Sequence, residues 1–337
     1  MRSGTGVMPA PPRAPNRHHC DSAPAGTCRN GSPAVPSRRA SPIVSGVSGT
    51  DDLVWERPWT ARTATVVVSF AGWFDAGSAA TGAIEHLIEF TGATRLAHIA
   101  DDRFIDIQQN RPRVVLRDGV TRAVEWQENV LYATEGSPDG HELLLLAGVE
   151  PHYSWREFAG LLLAAALGAD ARLVVTLGAS PAQIPHTRMP MVHASSASPV
   201  LADDFGLRSP SYEGITGIVG VIQSELDARS YPAISLQVGV PFYATGATNW
   251  KAAAALLRTL EQITGVATGH QELAPAIAGW EAMVDEALLE SPEGLAMVPR
   301  LEAAYDRETE QQLPSGDDLV AELERFLRDQ PPGSPDS

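Results

Sequence analysis

The side chains that could carry chemistry lie in four short turns and not in one recognised catalytic motif. Carboxylates and an imidazole can transfer protons when they are buried together, and a guanidinium can bind an anion. We assign no catalytic residue from the sequence. The candidate ligand-binding residues are Asp75, Gly77, Glu150, His186, Thr187, Arg188, Glu213 and Asn249.

The first turn, residues 72–78, holds Asp75 and Gly77 just before a predicted helix. Glycine permits unusual backbone angles, and a helix N-terminus attracts anions, so this turn could bind an anion or a carbonyl group. The alternative is a tight turn in which Asp75 only caps its helix.

The second and third turns contain the histidines. Glu150 and His152 could act as a general acid and base, although a Glu-Pro turn can also simply end a strand. In the third turn, residues 178–190, His186 and Arg188 could bind an anionic ligand or a partner's carboxylate. A surface loop ordered by its prolines is the alternative.

The fourth region comprises residues 211–214 and 240–243. Glu213 resembles a residue at the entry to a helix, and Asn249 is expected to cap the helix that follows it. A structural role is the favoured interpretation for both residues.

Several common motifs are absent from the sequence. There is no phosphate-binding P-loop, no dinucleotide fingerprint, no zinc-protease motif and no Gly-x-Ser-x-Gly. Both cysteines, Cys20 and Cys28, lie near the N-terminus, and Lys251 is the only lysine. We therefore expect neither a cofactor nor a metal site, and no disulfide in the body of the protein.

Short apolar runs alternate with longer amphipathic segments, which is typical of a mostly parallel sheet covered by helices on both faces. The sequence predicts a three-layer α/β sandwich. The expected strands are Thr65–Phe70, Thr94–Ile99, Arg113–Leu116, Val130–Ala133, Glu142–Ala147, Arg172–Leu177 and Ala233–Val238. The expected helices are Ala76–Phe90, Ser154–Leu167, Gly217–Arg229 and Asn249–Ile263.

Two helix starts carry recognisable signals. Asp75 precedes the first helix, and Ser154 with Glu157 forms a predicted capping box. Residues 271–330 are predicted to form helices without strands, and Leu319 and Phe326 lie on one face of the last.

The domain organisation follows from composition. Residues 1–50 are read as a disordered arm or a mis-assigned start, and 51–266 as the α/β domain. Residues 267–330 form an acidic helical extension, and 331–337 a frayed tail.

The net charge of −16 makes a nucleic-acid role unexpected, because such binding requires basic surfaces. No apolar run approaches the length of a membrane span, so a cytoplasmic protein that binds no membrane is expected.

Taken in order, the turns resemble the proteasome assembly chaperone 2 family in its actinobacterial branch. The resemblance runs from about Asp51 to Gln330. It is carried by VVVSFAGWFDAGSAATGAIEHL from Val66, LLLLAGVEPHYSWREFA from Leu143, LGASPAQIPHTRMPMV from Leu177, YEGITGIVGVIQSEL from Tyr212 and ATNWKAAAALLRTLEQITG from Ala247.

This resemblance implies a three-layer, phosphorylase/hydrolase-like fold with no agreed reaction. Some archaeal relatives dock on the proteasome through a C-terminal hydrophobic–Tyr–any residue tail, which residues 331–337 do not match. Docking by the tail is therefore not expected.

Two hypotheses follow. The first is a non-catalytic, proteasome-assembly-chaperone-like scaffold that binds a protein partner, possibly proteasome subunits, as a homo-oligomer. The second is a small-molecule-binding protein or enzyme, either phosphorylase/hydrolase-like or, less favoured, an ATP-grasp-type ligase. The second requires Asp75, Glu150, His186 and Arg188 to share one pocket at the strand ends.

Overall fold

The computed structural model describes residues 50–59, 64–100, 103–135 and 141–312. The strands are β1 Leu53–Trp55, β2 Ala64–Ala71, β3 Thr94–Ile99, β4 Arg113–Arg117, β5 Thr121–Glu125, β6 Asn129–Ala133, β7 Glu142–Val149, β8 Ala171–Ala182, β9 Val192–Ser195 and β10 Ala233–Pro241. The α-helices are α1 Ala79–Thr91, α2 Trp155–Gly168, α3 Pro199–Phe205, α4 Ile218–Asp227, α5 Trp250–Thr264, α6 Ala274–Leu289 and α7 Pro292–Gln312.

Eight of the strands form one sheet in the order β1-β3-β6-β7-β2-β8-β10-β9. The four central strands, β7, β2, β8 and β10, run parallel, whereas the flanking pairs are antiparallel. The central strands consist of continuous apolar runs, because a parallel strand covered by helices is buried on both faces. Val66, for example, pairs with Leu144 on one side and Val174 on the other.

Helices cover both faces of the sheet. Phe158 of α2 and Ile222 of α4 pack with Val66 in one apolar core. Leu87 of α1 and Leu256 of α5 pack with the opposite face of the sheet in a second core. The predicted three-layer α/β fold is confirmed, including each of the seven predicted strands and four predicted helices. Strands β1, β5 and β9 and helix α3 were not predicted.

The helical C-terminal segment is also confirmed as far as the structure describes it. Helices α6 and α7 follow one another without a strand, and Trp280 and Val284 of α6 pack against Ala244. The helix predicted around Leu319, the N-terminal arm up to residue 49 and the tail 331–337 lie outside the described residues. None of the described helices is long and apolar enough to cross a membrane.

The predicted capping box at the start of α2 is wrong. Ser154 adopts a left-handed conformation with φ of 53°, and its side chain makes no cap hydrogen bond. Glu157 pairs instead with Arg103, from the loop that follows β3. A capping box needs an extended N-cap residue, so the left-handed backbone at Ser154 removes the geometry that the spacing suggested.

Candidate functional site

The candidate turns gather at one edge of the sheet. Strands β7, β2, β8 and β10 are adjacent and parallel, so their carboxyl ends, and the turns that leave them, lie side by side. We call this the strand-end edge. Only the segment 211–214 does not follow a strand; it precedes α4.

Asp75 caps helix α1. Its Oδ1 accepts hydrogen bonds from the backbone N–H of Ala80 at 2.8 Å and of Thr81 at 3.2 Å, while Oδ2 accepts from the Thr81 hydroxyl. Burial raises the pKa of the Asp75 carboxyl above its ordinary value, and these hydrogen bonds oppose that rise. The carboxylate therefore occupies the helix N-terminus at which the sequence suggested an anion.

Gly77 and Asn249 connect the first turn to the last. Gly77 has φ of 57°, a conformation that suits glycine, and its carbonyl accepts a 2.7 Å hydrogen bond from the Asn249 N–H. The Asn249 side chain is buried and accepts from the N–H of Ala252 at 2.9 Å. The prediction that Asn249 caps α5 is confirmed.

Glu150 connects the second turn to two neighbouring segments. Its Oε2 accepts from the N–H of Trp73 at 2.9 Å, and its Oε1 accepts from the N–H of Ile218, the first residue of α4, at 3.0 Å. Gly72 and Gly217 make this approach possible, because a Cβ on either would lie 2.6 Å from a Glu150 atom.

The proposed pair of Glu150 and His152 has no direct contact in the structure. His152 Nδ1 accepts from the N–H of Asp106 at 3.1 Å, so the two side chains have separate partners. Glu213 is exposed, and Gly217 is the residue at the start of α4. Glu213 thus lies before the predicted helix without capping it, and Glu150, which directly follows β7, caps α4.

The loop after β8 is held by the C-terminal helices. His186 is 2% exposed, and its Nε2 lies 2.9 Å from Oδ1 of Asp285 in α6. Its Nδ1 lies 2.9 Å from the Tyr243 hydroxyl, which also accepts from the His186 N–H. The imidazole therefore lies between a hydroxyl and a carboxylate, one at each ring nitrogen.

Arg188 and Thr187 connect the same loop to α7. The Arg188 guanidinium makes two 2.9 Å hydrogen bonds to the carboxylate of Asp306 and one of 3.1 Å to Glu302. The hydrogen bonds to Asp306 raise the pKa of Arg188 and lower that of Asp306. Thr187 donates to the same Glu302, and Tyr305 donates to the Met189 carbonyl at 2.7 Å.

Lys251 completes this set of contacts and was not a sequence candidate. It is 6% exposed, donates a 2.5 Å hydrogen bond to the His186 carbonyl and pairs with Glu281 of α6. The one signal in the sequence was that this only lysine lies within an alanine-rich helix. A lysine on a buried helix face requires an acidic or polar partner. Its acidic partner could not be identified from spacing.

The eight candidates therefore fall into separate groups of contacts. Asp75 and Glu150 each cap a helix, and Gly77 and Asn249 bind one another. A narrow space of about 150 Å³ is lined by His186, Arg188, Asn249 and Lys251, but it admits no water-sized sphere. Within the described residues, no group of three or more His, Cys, Asp or Glu could hold a metal ion.

The strand-end turns expose six large apolar or aromatic side chains. The most exposed are Tyr212 at 74% and Ile215 at 82%. Exposed aromatic residues are common anchors of protein-binding surfaces. The set comprises Trp73, Tyr153, Met189, Tyr212, Ile215 and Phe242.

Comparison with known proteins agrees with this architecture. A sequence model of the PAC2 family matches residues 69–288. A PAC2 family protein from Streptomyces avermitilis is 35% identical, with a TM-score of 0.64, over 70% of this chain and 99% of its own. A proteasome-assembly chaperone homologue from Mycobacterium tuberculosis is also 35% identical, with a TM-score of 0.62 and the same coverage.

A third structure, a Mycobacterium tuberculosis protein of unknown function, is 26% identical, with a TM-score of 0.70, over 78% of this chain and 94% of its own. No curated protein matches the chain. The matched residues 69–288 contain all eight candidate residues, so the match spans the whole strand-end edge. The chain belongs to the PAC2 family.

Proposed function

We propose that this protein is a non-catalytic, protein-binding scaffold with a role similar to that of proteasome assembly chaperones. The observation that carries the proposal is a contrast between the polar and the apolar side chains at the strand-end edge. Asp75, Glu150 and His186 bind other parts of the same chain, whereas several large apolar and aromatic side chains of the same edge are exposed.

The polar side chains at this edge occupy the N-termini of helices of the same chain. In many α/β enzymes these N-termini face an anionic substrate. Here Asp75 occupies the N-terminus of α1, Glu150 that of α4 and Asn249 that of α5. Each of these N-termini is occupied by a side chain of the protein itself and is not free to bind an anionic substrate. This arrangement supports a binding surface more than a substrate pocket.

The partner is inferred from the family and from the chemistry of the surface. One similar structure is a proteasome-assembly chaperone homologue, so we propose proteasome subunits as the protein partner and the cytoplasm as the place of binding. Exposed Trp73, Tyr212 and Ile215 would supply the apolar anchors of such an interface.

The proposal is tested by capture experiments with the tagged full-length protein, using purified proteasome α-subunits and lysate from a proteasome-bearing actinobacterium. We expect the wild type to retain α-subunits and Trp73→Ala to lose at least about tenfold in affinity, as interface tryptophans commonly do. Val200→Ala, at an exposed position of α3, is the matched control and should bind as the wild type does. Failure of the wild type to bind α-subunits, or equal binding by Trp73→Ala, would contradict the proposal.

A further inference from the structure

A groove lies beside β9, the strand at one edge of the main sheet. Strand β9 is the last in the sheet order and pairs antiparallel with β10. The groove has a volume of about 740 Å³. That volume falls within the range of roughly 300–1,000 Å³ that is typical of sites for small molecules. None of the eight candidate residues lines the groove, so it is separate from the site that the strand-end turns were expected to form.

Small side chains leave this groove open between β9 and α5. Val192 and Ala194 are alternate residues of β9, so both side chains point towards the core that α5 helps to cover. Ala254, Ala255 and Arg258 line the groove from α5, where they share one helix face. The two alanines of α5 are buried. The groove therefore has an apolar floor, with a guanidinium on the same helix face.

Other packed segments form the walls of the groove. The backbone of Arg208 is fixed against β9, because its N–H donates to the Ala194 carbonyl at 3.2 Å and its carbonyl accepts from the Ser196 N–H at 3.1 Å. Tyr305 of α7 donates to the Met189 carbonyl at 2.7 Å and so holds a further lining residue in place. These contacts preform the groove. The large apolar side chains that line it are Met189, Met191, Phe205, Leu207 and Ile277.

Two arginines give this groove its charge. Arg208 and Arg258 are exposed, and neither side chain forms an ion pair or a hydrogen bond with the residues that the structure describes. Among the described residues that line the groove, none is an aspartate or a glutamate. Glu261, three positions after Arg258 on α5, accepts instead two 2.9 Å hydrogen bonds from Thr268. A guanidinium binds a carboxylate or a phosphate through parallel hydrogen bonds, so these two groups suit an anion.

We propose that this groove binds an amphipathic anion, which is a small molecule with a carboxylate or phosphate head on an apolar body. Arg208 and Arg258 bind the head, and the apolar body lies on Ala254 and Ala255. Burial of the apolar body supplies affinity, whereas the two guanidinium groups select for negative charge. A neutral or cationic molecule of the same length therefore binds less tightly. This proposal does not depend on the protein-binding role.

The test is isothermal titration calorimetry of the full-length protein with octanoate and with octyl phosphate, below the concentrations at which either forms micelles. At least one of the two anions should bind saturably, with one molecule per chain, and the tighter of the two identifies the preferred head group. Octanol should bind at least about tenfold more weakly than that anion, because it has the apolar body without the charge. Octylamine should bind more weakly still.

Three variants locate the bound anion. Arg208→Gln and Arg258→Gln should each weaken binding of the anion by about tenfold and leave that of octanol nearly unchanged, because each removes a charge and keeps most of the apolar stem. Ala255→Leu should weaken binding of both the anion and octanol, because leucine fills part of the floor. Arg156→Gln, at an exposed position of α2 on the opposite face of the sheet, is the matched control and should bind as the wild type does.

Circular dichroism checks that every variant is folded. Failure of the wild type to bind either anion, equally tight binding of octanol, or unchanged anion binding by the arginine variants or by Ala255→Leu would each overturn the proposal. Loss of anion binding in Trp73→Ala would overturn it too, because Trp73 does not line the groove and the anion would then lie on the exposed side chains of the strand-end edge. Capture of proteasome α-subunits does not enter this test, so the two proposals fail separately.

Discussion

His186 Nε2 lies 2.9 Å from Asp285 Oδ1, which joins the loop after β8 to helix α6 across 99 positions of sequence. His186 is almost fully buried, whereas the Asp285 side chain is 68% exposed. The imidazole therefore depends on this contact for its outer hydrogen bond, while the carboxylate keeps much of its hydration.

Removing either partner should weaken the attachment of α6 to the loop. We expect His186→Ala to lower the free energy of unfolding by about 2–3 kcal/mol, because it leaves the Tyr243 hydroxyl without its ring partner and opens a cavity. Asp285→Ala should cost about 1 kcal/mol, since that group is largely solvated. Urea unfolding measures both.

Glu272→Ala, at an exposed position before α6, is the matched control and should change stability by less than about 0.5 kcal/mol. A double-mutant cycle on His186 and Asp285 that gave no coupling would show that the contact contributes nothing to stability.

Glu150 should prove a structural residue of the strand-end edge. Glu150→Ala leaves the N–H groups of Trp73 and Ile218 without their acceptors, and we expect a loss of about 2 kcal/mol in unfolding free energy. Glu150→Gln should be intermediate, because one amide terminus can accept but the other donates towards an N–H. Glu213→Ala is the control and should be nearly neutral; equal stability of all three variants would refute the capping role.

The pKa of Asp75 makes stability depend on pH. Because burial raises the folded-state pKa of this carboxyl, its contribution to the unfolding free energy falls as pH rises from the unfolded value of about 3.9 to the raised folded value. Asp75→Asn retains an acceptor for the α1 N–H groups but cannot ionise, so it should flatten this part of the profile. Urea unfolding over a pH series measures the slope, and Asp203→Asn should keep the wild-type slope.

Arg188 and Asp306 should give the opposite dependence on pH. Since the pKa of Asp306 is lowered by Arg188, the contact stabilises α7 fully above about pH 3.9 and is lost as pH falls through the lowered folded value. Arg188→Lys cannot reproduce the two parallel hydrogen bonds and should speed amide hydrogen exchange in α7.

Asp306→Asn should do the same near neutral pH, and its difference from the wild type should shrink in acid. Glu310→Gln, on the exposed side of α7, is the control. Unchanged exchange in both Arg188→Lys and Asp306→Asn would mean that other contacts hold α7 to the loop.

Local sequence was informative wherever a residue's partner is close in the chain or its environment follows from its neighbours. The apolar run from Val66 predicts a buried strand, and Asp75 and Asn249 were recognised as helix caps because they bind N–H groups within six positions. Strands β4 and β5 form a hairpin whose turn contains Asp118 and Gly119. An Asp-Gly pair between alternating apolar residues is a hairpin signal in the sequence, yet only β4 was predicted. The capping box at Ser154 failed because spacing does not determine the backbone conformation there.

The sequence by itself determined the three-layer fold and the turns at the carboxyl ends of its strands, because burial on both faces and cap chemistry are local properties. Tertiary structure alone decided which groups those turns contact. The partners of His186, Arg188 and Glu150 lie 99, 118 and 68 positions away, respectively, so their pairing depends on how α4, α6 and α7 dock. Nothing in the spacing of a carboxylate reveals whether it will meet a substrate or the N–H groups of a distant helix.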